Sequence, residues 1–389
     1  MIKNNTKVNY FFLVTVVLFM LICLVIYYGY SLYGKMKSES VTMRQELQLK
    51  QKNIDTISSS FLTYKATDQI KRNDVLESEN KNINKTYKQS VGIYEQLIKL
   101  REVMKKTAPY DERFSSILTL LAERNYTSSS ALLIQLEKDI KTKQLEIANS
   151  FQIPQNIGTN NAPPSSGYQR QVVESDKGSF MVDIIVADLN STKVIVDTAS
   201  EGTCGNDCPV MTLGDYAARS GAFAAINGQY FCPADYPSCS NKKNAFDTLL
   251  MNKNKVYFNS DNNVYSTNPA AVFGQGYARF MGQAQQWGRD TGVDGVISNY
   301  PLLISNGEVV GGGGGGKGSR SFIGSSGTNV SIGVVHNASI EEVAYVMKKL
   351  GIQNALNLDS GGSTALWQNG RYIVGPGRNL PFGILFVRR

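Results

Sequence analysis

From Tyr10 to Tyr33 the chain is almost wholly apolar and carries no charged side chain. No other feature restricts the fold as sharply, because about 20 consecutive apolar residues match the length of a membrane-crossing helix. Lys3 and Lys7 precede the run, and Tyr27, Tyr28, Tyr30 and Tyr33 crowd its far end as interfacial aromatics do. A cleaved signal peptide is the competing interpretation. The run is too long for one, and no small-x-small cleavage site follows it. The expectation is therefore an uncleaved single-pass anchor at residues 10–33, with a cytoplasmic tail at 1–9. Lys35 and Lys37 lie just beyond the run, so charge bias alone leaves its orientation undecided.

The cysteines supply the orientation. Cys23 lies inside the apolar run; Cys204, Cys208, Cys232 and Cys239 form two close pairs in the C-terminal half. Even, locally paired cysteines point to disulfides and an oxidising compartment. A zinc site is the rival, but neither pair has C-x2-C spacing and no histidine is near. Cys204–Cys208 and Cys232–Cys239 bridges are expected, with cross-pairing as the alternative. The C-terminal part then lies outside the membrane.

Residues 34–149 contain no cysteine or tryptophan and a single proline, Pro109. Ile83, Tyr87, Val91, Tyr94 and Ile98 recur at three- and four-residue steps, one face of a helix. Thr107 and Pro109 mark a fresh helix start, with Phe114, Ile117, Leu118 and Leu121 as its apolar face. Ser128 to Ser130 can cap a further helix faced by Leu133, Leu136, Ile140 and Ile147. The heptads are too short and broken for a coiled coil. A helical spacer is expected, folded as a hairpin or self-associating through residues 83–149. Residues 150–170, with Pro154, Gly158, Pro163, Pro164, Ser165, Ser166 and Gly167, form a linker.

Residues 171–389 are enough for an independent core. Phe180, Val182, Ile184 and Val186 alternate as in a strand; Lys193–Val196, Ala222–Ile226, Pro301–Ile304, Ser331–Val335 and Ala355–Leu358 read as others. Val210–Ser220 reads as a short helix. Ser339-Ile340-Glu341-Glu342 is a capping box opening a helix that stops at Gly351. The pattern is an α/β (mixed α+β) domain with a mixed β-sheet core. At 42% apolar and 19% charged residues the composition is that of a globular protein, and the net charge of +8 is spread out. No basic run interleaved with aromatics appears, which argues against nucleic acid. A general attraction to an anionic cell surface is the most that the charge suggests.

Four polar clusters end apolar strands: Asn227-Gly228-Gln229-Tyr230-Phe231, Arg320-Ser321-Phe322-Ile323-Gly324, Asn357-Leu358-Asp359-Ser360-Gly361-Gly362-Ser363-Thr364 and Gly375-Pro376-Gly377-Arg378-Asn379. Strand-end loops are where a rigid sheet presents reactive groups. Taken singly, turn chemistry explains each equally well. The Asp359 cluster is the most specific: a carboxylate followed by glycines and hydroxyls can hold an anion or sugar and move a proton.

Together, and with the helix ending at Leu350-Gly351, the first three clusters resemble those of the phosphodiester glycosidases, relatives of the lysosomal uncovering enzyme that removes N-acetylglucosamine from a mannose-phosphate diester. The resemblance covers about residues 171–389. Gln229 and Ser360 stand where the family usually has glycine, and both are expected to narrow the pocket. The resemblance implies hydrolysis of a sugar-1-phosphodiester between sugar and phosphate, in glycans of the cell envelope or an exopolysaccharide. The leaving phosphate monoester is already a stable anion, so it needs positive charge and N–H donors more than a strong acid. Arg320 and Arg378 are candidates for the charge, and Gly361, Gly362 and Ser363 for the donors. Gly228, Ser321 and Asn379 complete the candidate binding set, and Asn227 is expected to orient a sugar hydroxyl or acetamido group. Asp359 is the candidate nucleophile or general base. Glycosidases usually pair two carboxylates, and Asp247 and Asp294 are the candidates for the second.

His336, the only histidine, follows a strand near the same face, but the Gly-x-Ser-x-Gly elbow of a Ser-His-Asp hydrolase is missing. The glycines at 311–316 lack the Walker spacing. They read as a hinge for a lid carrying Lys317 and Arg320. No cofactor is implied. The lack of a His cluster argues against zinc, and a calcium held by Asp and Asn oxygens is left open. Two other functions fit the same residues: a non-catalytic glycan- or phosphate-binding domain on a helical stalk, and a variant that transfers the sugar to another acceptor.

Overall fold

The computed structural model describes residues 5–104, 106–261, 264–311 and 314–389. Two compact units result, Met1–Ile83 and Asn84–Arg389. The first is helical: α1 (Asn5–Lys65) and the opening turns of α2 (Asp68–Val103). The described part of α1 is long and apolar enough to cross a membrane.

The second unit opens with the rest of α2, then α3 (Ala108–Ala122) and α4 (Tyr126–Ser150). Thr107 and Pro109 start α3 as their sequence predicts. Asn125, rather than the serines at 128–130, caps α4: its side chain accepts from the Ser128 N–H at 3.2 Å. Ile93, Leu97, Leu100, Ile117, Leu121, Leu133, Leu136 and Ile140 bury themselves between these helices. The three helices therefore have a core of their own. They also dock on the C-terminal β domain. The Ser238 N–H donates to Glu95 at 2.9 Å, and the Asn337 amide donates to the Ala148 carbonyl at 2.7 Å.

The remainder is an α+β domain of three sheets. In the seven-stranded sheet the order is Gly167–Ser175, Gly178–Asp188, Asn329–Ala338, Gly318–Ser326, Asn354–Ser360, Leu302–Ser305 and Glu308–Val309. The second sheet runs Arg371–Val374, Leu366–Gln368, Ala224–Asn227, Phe382–Arg388 and Thr192–Thr198. A third is built from Tyr257–Phe258, Leu250–Met251, Gly295–Ser298, Ala270–Gly274 and Tyr277–Met281. Every ladder between these strands is antiparallel, where the sequence led to mixed sheets. Helices intervene between strands, but short turns and returning loops do the pairing, and those favour antiparallel neighbours.

Side-chain alternation sorts the layers. On Gly178–Asp188, Ile185 and Ala187 face a core shared with Ile226, Ile384 and Phe386 of the second sheet and Leu250, Phe273 and Ile297 of the third. Val182, Ile184 and Val186 face the opposite way, in a second core with Val343, Val346 and Met347 of the helix at Ile340–Lys349. The predicted capping box is present: Ser339 accepts from the Glu342 N–H and Glu342 from the Ser339 N–H. On the outer face of the second sheet lies α5 (Leu213–Arg219), a shortened version of the predicted helix, capped by Thr212; Ile340–Lys349 is then α6. Both cysteine pairs close as expected, Cys204–Cys208 and Cys232–Cys239.

This layering brings two strand ends together. Asn354–Ser360 runs inside the large sheet and Ala224–Asn227 inside the second. Their ends meet where the Asp359 N–H donates to the Gly228 carbonyl at 2.9 Å. A Cβ at residue 228 would collide with the buried Phe382 ring, so glycine is needed at this junction for the ring to keep its place.

Leu136 is fully buried among the helices. Leu136→Ala should cost about 2–5 kcal/mol of local stability. Loss of helical circular dichroism in urea, compared with the parent, measures it. An unchanged midpoint would mean that α2, α3 and α4 do not share the described core.

Candidate active site

Asp359 is next to last in the strand Asn354–Ser360, beside the junction of the two sheets. The Ser360 N–H donates to it at 2.8 Å, and the Ser363 side chain is a further hydrogen-bond partner. Burial pushes its pKa up from 3.8 to about 6; the bonds from Ser363 and Ser360 and the nearby Arg378 pull the other way, and Glu102 adds to the rise. Desolvation therefore outweighs the hydrogen bonds.

Asn227 holds this arrangement. Its amide donates to the Asp359 carbonyl at 2.7 Å, and its oxygen accepts from the Ser321 hydroxyl at 2.7 Å and the Ala365 N–H at 3.1 Å. Asn227 and Ser321 are both fully buried. Their polar groups are spent on joining Ala224–Asn227, Gly318–Ser326 and the Asp359 loop, so neither is presented to a sugar. Gln229 behaves likewise: it bonds Thr248 at 2.7 Å and Ser298 at 3.3 Å inside the core, and does not narrow a pocket.

Gly361 to Ser363 form a single 3-10 turn after Asp359. The Gly362 carbonyl accepts from the Arg378 N–H at 2.8 Å, which ties the fourth cluster to the third. The Arg378 guanidinium pairs with Glu102 of α2, lies 3.5 Å from Asp235 and stacks over the Tyr236 ring. A Cβ at residue 362 would collide with both the Glu102 carboxylate and the Arg378 guanidinium. Glu102 also accepts from the Gly362 backbone. Asn379, next to Arg378 in the chain, is exposed.

Arg320 reaches the same region. Its guanidinium bonds the carbonyls of Ala338, at 3.2 Å, and Gly316. Burial works against its charge, while Tyr230 and Asp359 favour it. Tyr230 accepts from Asn357 at 2.7 Å and lies 5.1 Å from the half-exposed ring of Tyr300. Asp359, Arg320, Arg378 and Tyr230 thus share one electrostatic neighbourhood.

The other candidates make contacts of their own. Asp294 pairs with Arg389 at the end of Phe382–Arg388 that lies away from Arg378. Seven strand residues separate the two ends, roughly 20 Å. Asp247 is 67% exposed and pairs with Lys242 at 2.8 Å. The carboxyl that does enter the site is Glu102, from a helix outside the motif pattern. Tyr230 lies within the first motif, but Tyr300, Asp235 and Tyr236 carry no sequence signal beyond their proximity to strand ends. His336 bonds Asp183 at 2.7 Å and stacks on Phe151. Burial works to raise the pKa of Asp183, but bonds from His336, Arg170 and Tyr168 outweigh it and hold the carboxyl below its usual range. That cluster is a structural one. Lys317 pairs with Glu342 at 2.9 Å. Gly312 and Gly313, within the expected hinge, lie outside the described residues. Among the described residues no three His, Cys, Asp or Glu side chains group to hold a metal.

An α+β domain with a partly buried carboxyl in the field of two guanidinium groups is the class defined by this fold and site. Residues 220–387 match the family model of the phosphodiester glycosidases, the family to which the order of motifs points. No curated protein matches the chain significantly. Among solved structures, a hypothetical protein from Synechocystis aligns with TM-score 0.44 and 16% identity over 57% of this chain. This chain covers 62% of the Synechocystis one. The zebrafish N-acetylglucosamine-1-phosphodiester alpha-N-acetylglucosaminidase catalytic domain, auto-inhibited by its pro-peptide, aligns with TM-score 0.45 and 17% identity over 60% of this chain and 87% of that one.

An acid whose folded pKa lies above its unfolded value destabilises the fold as pH rises through that window, here from 3.8 to about 6. Asp359→Asn removes the ionisation and keeps an acceptor for Ser360. The variant should be more stable than the parent by up to about 3 kcal/mol near pH 8, and the gain should vanish near pH 4. Thermal unfolding at both pH values measures it; a pH-independent difference would refute the raised pKa.

Proposed function

We propose that the C-terminal domain is a phosphodiester glycosidase acting on a sugar-1-phosphodiester in glycans of the cell envelope or an exopolysaccharide. One observation carries this: a carboxyl with its pKa raised to about 6 shares its neighbourhood with two partly buried arginines. The family match over residues 220–387 supports the choice of a glycosyl bond over other bonds.

The chemistry follows from the charges. The bond between the anomeric carbon and the phosphate oxygen breaks, and its electron pair leaves on the phosphate monoester. Arg378, Arg320 and the N–H groups of the Gly361–Ser363 turn stabilise that leaving anion electrostatically. Asp359 acts on the sugar side, as nucleophile at the anomeric carbon or as the base that takes a proton from water. The Tyr230 and Tyr300 rings offer an apolar face to the pyranose. Asn227 and Ser321 act indirectly, by fixing the Asp359 backbone.

The setting is a membrane surface. The apolar part of α1 is the proposed anchor, with the disulfide-bearing domain on the oxidising side of the membrane.

In the full chain, Asp359→Asn should lower turnover of a synthetic sugar-1-phosphodiester at least about a thousandfold while leaving binding of inorganic phosphate within a few-fold. In the parent, kcat/KM should fall about tenfold per pH unit below about pH 6 and level off above it. Survival of sugar-1-phosphodiesters of many sugars in the presence of the protein would instead indicate a binding domain on the same fold.

A further inference from the structure

The donors assigned to the leaving phosphate already hold an anion. Glu102, next to last in α2, accepts from the Gly362 N–H and pairs with Arg378. Its side chain is 20% exposed and that of Arg378 is 19% exposed, so the pair is largely withdrawn from water. A carboxylate has the planar two-oxygen geometry that suits a guanidinium fork, and a phosphate presents two oxygens to the same fork. Glu102 therefore occupies the position where a phosphate oxygen would sit.

The helices give this contact a fixed mounting. The Ser238 N–H donates to Glu95, and the Lys99 ammonium lies over the Tyr236 ring at 5.9 Å, both on the same side of α2 as Glu102. These contacts run along successive turns, so Glu102 cannot leave its place without lifting that face of α2 or rotating its own side chain. Space for such rotation exists. A cleft of about 320 Å³ lies beside the pair, lined by Tyr94, Ile98, Arg101, Glu102 and Asp235.

Three carboxyls, Glu102, Asp235 and Asp359, act on the Arg378 guanidinium. Burial, the largest effect on Glu102, raises its pKa; Arg378 and the Gly362 N–H lower it, and Asp235 raises it further. The Glu102 contact is thus made at a desolvation cost, which favours a competing anion once Glu102 rotates out into water.

We propose that Glu102 is an internal competing anion: it fills the phosphoryl subsite formed by Arg378 and the Gly362 N–H, and the helical segment α2–α4 thereby restrains access of a phosphate-bearing substrate. This rests on the assignment of that subsite to the leaving phosphate, but not on which sugar is cleaved or whether cleavage occurs. A ligand that binds only when an occupying group has left has its affinity reduced by the fraction of time the subsite is free.

The test uses the full chain in detergent micelles and inorganic phosphate as probe, titrated calorimetrically. Glu102→Gln keeps the side-chain volume and weakens the hold on Arg378. It should tighten phosphate binding roughly tenfold or more. Glu102→Ala should do so at least as strongly, and Arg378→Ala in either background should abolish the gain. If phosphate affinity is unchanged or weaker in both Glu102 variants, the proposal fails. If kcat on a sugar-1-phosphodiester collapses in Glu102→Gln with no gain in phosphate affinity, Glu102 is instead the second reacting carboxylate and the proposal is equally overturned. If no phosphodiester is cleaved by any form while phosphate still binds more tightly to Glu102→Gln, the inference stands and the glycosidase assignment falls.

Discussion

The structure depends on one costly act, the partial burial and desolvation of the Asp359 carboxyl where two sheets touch end to end. Taking an isolated carboxylate out of water costs several kcal/mol. The chain offsets part of that with the Ser360 N–H, the Ser363 side chain and the field of Arg378, and leaves the remainder as a pKa of about 6. The shift measures how much reactivity is stored. A fully compensated carboxylate would be a weak base, and an uncompensated one would be protonated at neutral pH.

Holding such a group requires a frame that does not relax. Asn227 provides it by joining three separate backbone segments through one buried amide, to Asp359, Ala365 and Ser321. Asn299 and Asn357 continue the pattern: Asn299 donates to the Asn357 carbonyl at 2.8 Å, and Asn357 donates to Tyr230 at 2.7 Å. Buried amides suit this task because each carries both donors and acceptors; Asn227 has both matched, whereas the Asn357 Oδ1 is buried without a partner among the described residues. The asparagines at the strand ends are therefore fasteners. The amide of Asn227 is spent on the geometry it imposes on Asp359.

What the sequence made legible follows the range of the forces involved. Local ones could be read: the α6 capping box, the break at Thr107 and Pro109, the cysteine pairs four and seven residues apart, and the alternation at Phe180–Val186. The core of the Asp359 site was legible too, because motif order stood in for spatial order. Strand direction was not. Asp294 was a candidate second carboxylate, yet it sits with Arg389 at the far end of a strand whose near end carries Phe382. Gln229 looked like a pocket residue, since nothing local reveals that its side chain turns inward to Thr248. Glu102 left no trace at all. Its helical periodicity marks an exposed turn, and only the docking of α2 beside Arg378, 276 residues away in sequence, gives it a role.

The charge balance around Arg378 sets a condition on any anionic ligand. Glu102 and Asp235 flank the guanidinium directly and Asp359 acts on it through space, against the additional cation of Arg320. At an effective dielectric of about 20, two like charges about 4 Å apart repel by roughly 4 kcal/mol. A phosphodiester arriving with every carboxyl ionised and in place would meet that repulsion more than once, and its attraction to two arginines would be largely cancelled. Binding becomes favourable only if one acid takes up a proton or moves away. Asp359 is fixed by its backbone and by Asn227, and Asp235 is 56% exposed and screened by water. The acid that combines burial, direct contact with the anion donors and an adjoining cleft to move into is Glu102. On the proposed reading, the electrostatics around Arg378 thus require that the Glu102 side chain yield before a phosphate can enter.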